Sequence, residues 1–175
     1  MTGLLTVGHG THSAEDFTAL LRGAGVTHLV DVRTAPGSRR YPWFARDALA
    51  DWLPEAGIAY SHERDLGGFR KPAPDSPNMG WRNTSFRGYA DHLATPSFRD
   101  ALARVLALPG IVTVMCSESV WWRCHRRLIA DAAVVLREVP VHHLMPDGRT
   151  TPHAPTAGAV RDGDRLVYPG DPALF

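Results

Sequence analysis

Apolar and polar positions change period several times along this chain, and each change marks an element. Leu4-Leu5-Thr6-Val7 is a short, nearly continuous apolar run closed by Gly8-His9-Gly10, as in a buried strand. Ser13 then stands as a helix N-cap with Asp16 at the capping-box position. Phe17, Leu20, Leu21 and Ala24 recur at i, i+3, i+4 and i+7, which predicts one apolar helix face ended by Gly25. Residues 26–33 form a second strand pattern, rich in β-branched side chains. A loop over 34–42, with Pro36-Gly37, leads to a helix over 45–53. Pro54 should stop or kink that helix, because proline costs about 3 kcal/mol in a helix interior. Residues 58–62 predict a third, weaker strand.

Residues 66–89 break the rhythm. Gly67-Gly68, three prolines, Gly80 and Gly88 are interleaved with Phe69, Trp81 and Phe86. So long a stretch predicts a surface excursion over a pocket or, for 71–79, a disordered insert. Regular structure is expected again at Thr95, an N-cap with Pro96 at N1, and Phe98, Leu102, Val105 and Leu106 mark the next apolar face. Residues 111–116 read as the central strand, apolar on both faces. A helix carrying Leu128, Ile129, Ala132 and Leu136 follows, then a strand over 139–144, where one of His142-His143 faces the core. The tail from 146 reads as irregular, with a short edge strand at 165–168.

Strand and helix alternate, so the expected fold class is α/β: a single domain over 1–175 with a mostly parallel sheet flanked by helices in Rossmann-like layers. In such sheets ligands sit outside the carboxyl ends of the strands. The predicted ends carry His9, Asp31, Arg33, Cys116 and Glu118, which the fold therefore gathers on one edge.

Composition narrows the class further. The chain is 44% hydrophobic and 21% charged, which excludes an intrinsically disordered protein. Its longest apolar runs are too short to span a membrane, and residues 1–9 lack the charged and apolar regions of a secretory signal. The expectation is a soluble cytoplasmic protein with no membrane partner. Lys+Arg number 19 against 18 Asp+Glu, so the whole surface is no electrostatic match for nucleic acid. Within that balance Lys71 is the only lysine, and Arg33, Arg39, Arg40 and Arg46 lie close together with Tyr41, Trp43 and Phe44 between them. Arginine forks beside aromatic rings suit phosphate, a nucleotide or a single strand of nucleic acid.

Asp31 and Arg33, two apart on a strand, project from the same face. They either hold each other or hold a ligand between them. Cys116 ends a strand and Cys124 precedes a helix, beside Arg123, His125, Arg126 and Arg127. A thiol at a helix start among such cations ionises readily; two ordinary buried cysteines are the plain alternative. The spacing of Cys116 and Arg123 does not fit a phosphatase loop, and no glycine-rich phosphate loop or Gly-x-Ser-x-Gly elbow is present. Without a C-x-x-C or H-x-x-x-H pair, no metal site and no cofactor are expected. Trp121-Trp122 reads as a packing wedge at a helix start.

Six segments in order, namely Thr6-Val7-Gly8-His9, Leu29-Val30-Asp31-Val32-Arg33, Ser38-Arg39-Arg40, Leu66-Gly67-Gly68, Met115-Cys116-Ser117-Glu118 and Cys124-His125-Arg126, resemble the bacterial and archaeal domain-of-unknown-function family 488. The resemblance spans about 4–143. It implies that the polar motifs fall at His9, Asp31, Arg33, Arg39, Arg40, Cys116, Glu118, Cys124, His125 and Arg126. A loose association of members with DNA repair implies a nucleic-acid accessory role.

Three functions remain open on sequence. The first is an enzyme, a cysteine-dependent hydrolase or transferase acting on a phosphorylated or anionic small molecule or nucleotide. There Asp31, Arg33, Arg39, Arg40, His125 and Arg126 bind the ligand, Cys116 or Cys124 is the nucleophile, and His9 or Glu118 serves as acid or base. The second is a non-catalytic nucleic-acid-binding or DNA-repair accessory protein, using Arg39–Arg46 and Arg82–Arg87. The third is a redox protein cycling a Cys116–Cys124 disulfide.

Overall fold

A computed structural model describes residues 3–170. Its main sheet has six strands in the order β3-β2-β4-β1-β5-β6. These are β1 (Leu4–Gly8), β2 (His28–Asp31), β3 (Ala59–His62), β4 (Val112–Cys116), β5 (Val141–Leu144) and β6 (Thr150–Pro152). Every pairing is parallel except β6 on β5, so the fold is the α/β layering the alternation predicts. β4 is central and buried along its whole length, between β2 and β1.

Helices α1 (Ala14–Gly23) and α2 (Arg46–Glu55) cover one face, and α3 (Thr84–His92), α4 (Pro96–Leu106) and α5 (Arg126–Arg137) cover the other. On the first face Phe17, Leu21, Leu49 and Leu53 pack on Val7, Leu29 and Met115. On the second, Phe98, Leu102, Leu128 and Ile129 pack on Leu4, Val30, Val114 and Val141. The two-residue strand period makes this division. It sends Leu29, Asp31, Val7 and His9 toward α1 and α2. Thr6, Cys116 and His143 go toward α5.

Several boundaries depart from the sequence reading. Helix α2 runs through Pro54 to Glu55, since a proline in the last turn forfeits only one helical bond. Regular structure returns at Thr84, not Thr95: Asn83 caps α3 by accepting from the backbone N–H groups of Ser85 and Phe86. Residues 71–79 are ordered by Asp91, whose carboxylate accepts from the Ala73 N–H, the Ser76 hydroxyl and the Asn78 amide. The tail is regular too. Strand β6 extends the main sheet, and β7 (Val160–Asp162) pairs with β8 (Arg165–Val167) in a separate ribbon that buries Leu166 and Tyr168. Only β8 falls where the sequence predicts a strand; β6 and β7, three residues each, offer too little periodicity to register.

Candidate functional site

A cleft of about 770 Å³ opens at the carboxyl edge of the parallel strands. His9, Arg33, Cys116 and Glu118 line it, as the strand-end rule requires, together with Cys124 and His125. Arg40 is on the wall and Arg39 is not. Asp31 and Arg126 lie behind the surface, fully buried. The cleft also takes in Phe69 and Phe86 from the 66–89 excursion, Arg123 from the cysteine segment, and Tyr89, which sequence reasoning did not single out.

The α1/α2 face supplies one half of the site. Asp31 accepts from Arg33 twice, Nε to Oδ1 at 2.9 Å and Nη2 to Oδ2 at 2.7 Å. It also accepts from the Arg33 backbone N–H and from the Tyr60 hydroxyl. Burial first, then the Asp31 charge and hydrogen bond, push the Tyr60 phenol well up. Arg33 Nη2 also donates to the Phe44 carbonyl, and Nη1 lies 3.5 Å from His9 Nε2. His9 stacks on Phe44 with ring centroids 4.2 Å apart, and its Nδ1 lies 2.9 Å from the Gly10 carbonyl. The carbonyl fixes the tautomer: Nδ1 carries the proton and Nε2 accepts from Arg33. Burial, with the Arg33 charge, holds His9 down to about 4, so the ring is neutral at pH 7. It is a hydrogen-bond acceptor there, not an acid.

The α5 face supplies the other half. Arg126 is 1% exposed, the largest fully buried side chain among the described residues. Its Nε donates to Cys116 Sγ at 2.9 Å, its Nη1 to Thr6 Oγ1 at 3.2 Å, and its Nη2 to the Glu118 carbonyl. That carbonyl can sit there because position 8 is glycine: a Cβ on Gly8 would lie 2.0 Å from it. The partners of Arg126 are thus a thiol, a hydroxyl and a carbonyl, with no carboxylate among them. Cys116 Sγ lies 2.6 Å from Cys124 Sγ, and both cysteines are free. Cys124 Sγ also accepts the Arg126 backbone N–H at the start of α5 and faces His125 Nδ1 at 3.7 Å. The other nitrogen of His125 donates to the Val32 carbonyl. Burial pushes the Cys116 thiol well up, reinforced by Cys124. Burial also opposes ionisation of Cys124, but the hydrogen bond from the Cys116 thiol, with the Arg126 charge, outweighs it and holds that thiol well below its usual range.

Behind Arg126 runs a polar chain through the core. Thr6 Oγ1 lies 2.6 Å from His143 Nδ1, His143 Nε2 lies 2.9 Å from His153 Nδ1, and His153 Nε2 lies 2.7 Å from Asp131 Oδ1. Tyr168 and the Thr156 N–H complete the Asp131 carboxylate. With both rings neutral, each donor finds an acceptor from Arg126 through to Asp131. Burial above all, with the Arg126 charge, drives His143 down to about 3. Trp121 covers this histidine, stacked at 4.0 Å. One signal for the chain was readable: Asp131 sits among Leu128, Ile129 and Ala132 on an apolar helix face, where a carboxylate needs a buried partner. His153 and Tyr168 carried none.

Residues 13–133 match the family model for a domain of unknown function, DUF488. The chain belongs to the DUF488 family. No curated protein and no solved structure matches it. The DUF488 match takes in Asp31, Arg33, Cys116, Cys124 and Arg126, and stops short of His143, His153 and Tyr168. Among the described residues no group of three or more His, Cys, Asp or Glu side chains is placed to hold a metal ion. No helix there is long and apolar enough to cross a membrane.

Proposed function

We propose that the cleft binds a phosphorylated or otherwise anionic small molecule and that Cys124, as a thiolate at its floor, attacks it. One observation carries this reading: Arg126 is buried, permanently charged and without a carboxylate, so the thiol pair is its counter-ion. Cys116 and Cys124 share one proton. Cys116 keeps it and Cys124 carries the negative charge, beside the first backbone N–H of α5. Arg40 and Arg123 on the walls attract the anion, and the Arg33 Nη1 edge faces the same space.

The step balances with water as the only co-reactant. The Cys124 electron pair forms a bond to the electrophilic centre, and the leaving group departs with its bonding pair and the Cys116 proton. Arg126 then steadies the Cys116 thiolate. Water cleaves the Cys124 adduct, its hydroxyl going to product and its proton to Cys116. In this reading His9 and Glu118 act as acceptors at the edge of the reaction, not as its proton source. A catalytic thiolate of this kind needs a reducing compartment, and a cytoplasmic location supplies one.

Mass-resolved iodoacetamide labelling tests the reading, with and without millimolar phosphate. Fast, single labelling at Cys124 that phosphate suppresses is the expected result. Slow labelling of both cysteines, indifferent to phosphate, would overturn it. The 2.6 Å separation of the sulfurs favours a second reading, dithiol–disulfide cycling. In that reaction two thiols pass two electrons and two protons to a disulfide such as oxidised glutathione, which leaves as two thiols. A mass loss of two hydrogens, reversed by reductant, identifies it.

A further inference from the structure

Phe69 combines two unfavourable features at the mouth of the cleft. It is 91% exposed, the most exposed large apolar side chain among the described residues, and its φ is +60°. A bulky L-residue in the left-handed region is a steric outlier, and glycine would remove the strain. Slack in the chain does not explain it, because both flanks are tied. Thr34 donates its hydroxyl to the Gly68 carbonyl at 2.9 Å. Arg70 Nε donates to the Gly67 carbonyl, and the Arg70 carbonyl lies where a Cβ on Gly88 would stand, 2.2 Å away. The clamped backbone therefore presents the ring outward, and Phe69, Tyr41 and Phe86 all line the cleft.

We infer that Phe69 is a stacking platform for a planar ring on the ligand. The occupant is then a mononucleotide: an aromatic base on Phe69, joined to a phosphate drawn by Arg40 and Arg123. This inference rests on the anion-binding reading above and adds the chemistry of the ligand's other end. Three observations converge on it. A volume of about 770 Å³ suits a molecule of that size. The wall pairs arginines with aromatic rings, and Arg40 already lies over Tyr41 at 5.7 Å. The strain and exposure at Phe69 have no counterpart in packing, because the ring is bare. Stacking is tolerant of base identity, so the platform selects for a ring and not for one base.

The test compares adenosine monophosphate, ribose 5-phosphate, inorganic phosphate and a short single-stranded oligonucleotide by calorimetry, on the intact chain and on Phe69→Ala, Phe69→Trp and Phe69→Gly. The nucleotide should bind at least tenfold tighter than ribose 5-phosphate. Phe69→Ala should erase that margin, leave the sugar phosphate unchanged, and Phe69→Trp should keep it. Phe69→Gly should raise Tm while losing nucleotide affinity, which separates a ligand role from a structural one. Equal affinity for nucleotide and sugar phosphate overturns the inference and leaves the anion reading standing. Binding of none of the small anions overturns both. An oligonucleotide that binds while the mononucleotide does not also overturns it, in favour of a strand-binding surface.

Discussion

Arg33 and Arg126 are two buried arginines at one sheet edge, separated by the sheet itself. Arg33 lies on the α1/α2 face and is closed locally: Asp31 holds it with two parallel bonds, and the Phe44 carbonyl takes another proton. Arg126 lies on the α5 face and has a hydroxyl, a carbonyl and a cysteine sulfur instead. A charge that finds a carboxylate stabilises structure, and a charge that does not must be met by another ionised group. The same residue type therefore anchors one half of the cleft and, in the function proposed above, activates the thiols of the other.

The largest expected effect falls on the closed pair. Asp31→Ala leaves a buried guanidinium without its counter-ion and should cost about 3–5 kcal/mol in urea unfolding, with the thiols unaffected. Arg126→Met should do the reverse. Stability should stay within about 2 kcal/mol of the parent, because an apolar chain of similar length replaces a charge. The pKa of the Cys124 thiol, by contrast, should rise, so that less of it is ionised at neutral pH. If Asp31→Ala disturbs the thiolate as much as Arg126→Met, the two halves are one electrostatic system and the comparison fails.

Acid should strain both halves alike. His9 titrates near 4 and His143 near 3 in the folded chain, below the usual 6.5. The unfolded chain therefore takes up protons first. Their contribution is complete above pH 6.5 and is lost as the pH falls toward 4 and 3. Each should cost about 2–3 kcal/mol at pH 4.5, read as the difference between urea curves at pH 7 and pH 4.5. His9→Asn should flatten that difference by roughly one such share; an unchanged slope would mean the ring is not held neutral. The smallest effect belongs to the chain behind Arg126. Thr6→Val leaves His143 Nδ1 without its hydroxyl and should cost about 1–3 kcal/mol. The thiolate fraction at neutral pH should change less than in Arg126→Met.

Much of this contrast was written into strand parity. Two-residue spacing placed Asp31 and Arg33 on one side, and strand ends gathered His9, Cys116 and Glu118 at one edge. The six family motifs mark the same residues. What parity could not say is which partner each arginine takes. Arg33 meets its acid two residues away, so the pair was visible locally. Arg126 meets Cys116 and Thr6 across 10 and 120 residues, contacts that only the packing of α5 on β1 and β4 creates. His153 and Tyr168 reach Asp131 from a tail whose short strands and turns show no periodicity. Helix α3 was hidden because glycines and prolines dominate the stretch before it, and Asn83 was not read as its cap.

Ultraviolet titration of thiolate absorbance, in the parent chain and in Cys124→Ser, Cys116→Ser and Arg126→Met, tests the central claim without requiring a reagent to reach a buried sulfur. The parent should show one thiolate per chain at neutral pH, absent in Cys124→Ser and diminished in Arg126→Met. A parent chain with no thiolate until about pH 8.5 or above, where an ordinary cysteine ionises, would contradict the assignment of the thiol pair as the counter-ion of Arg126.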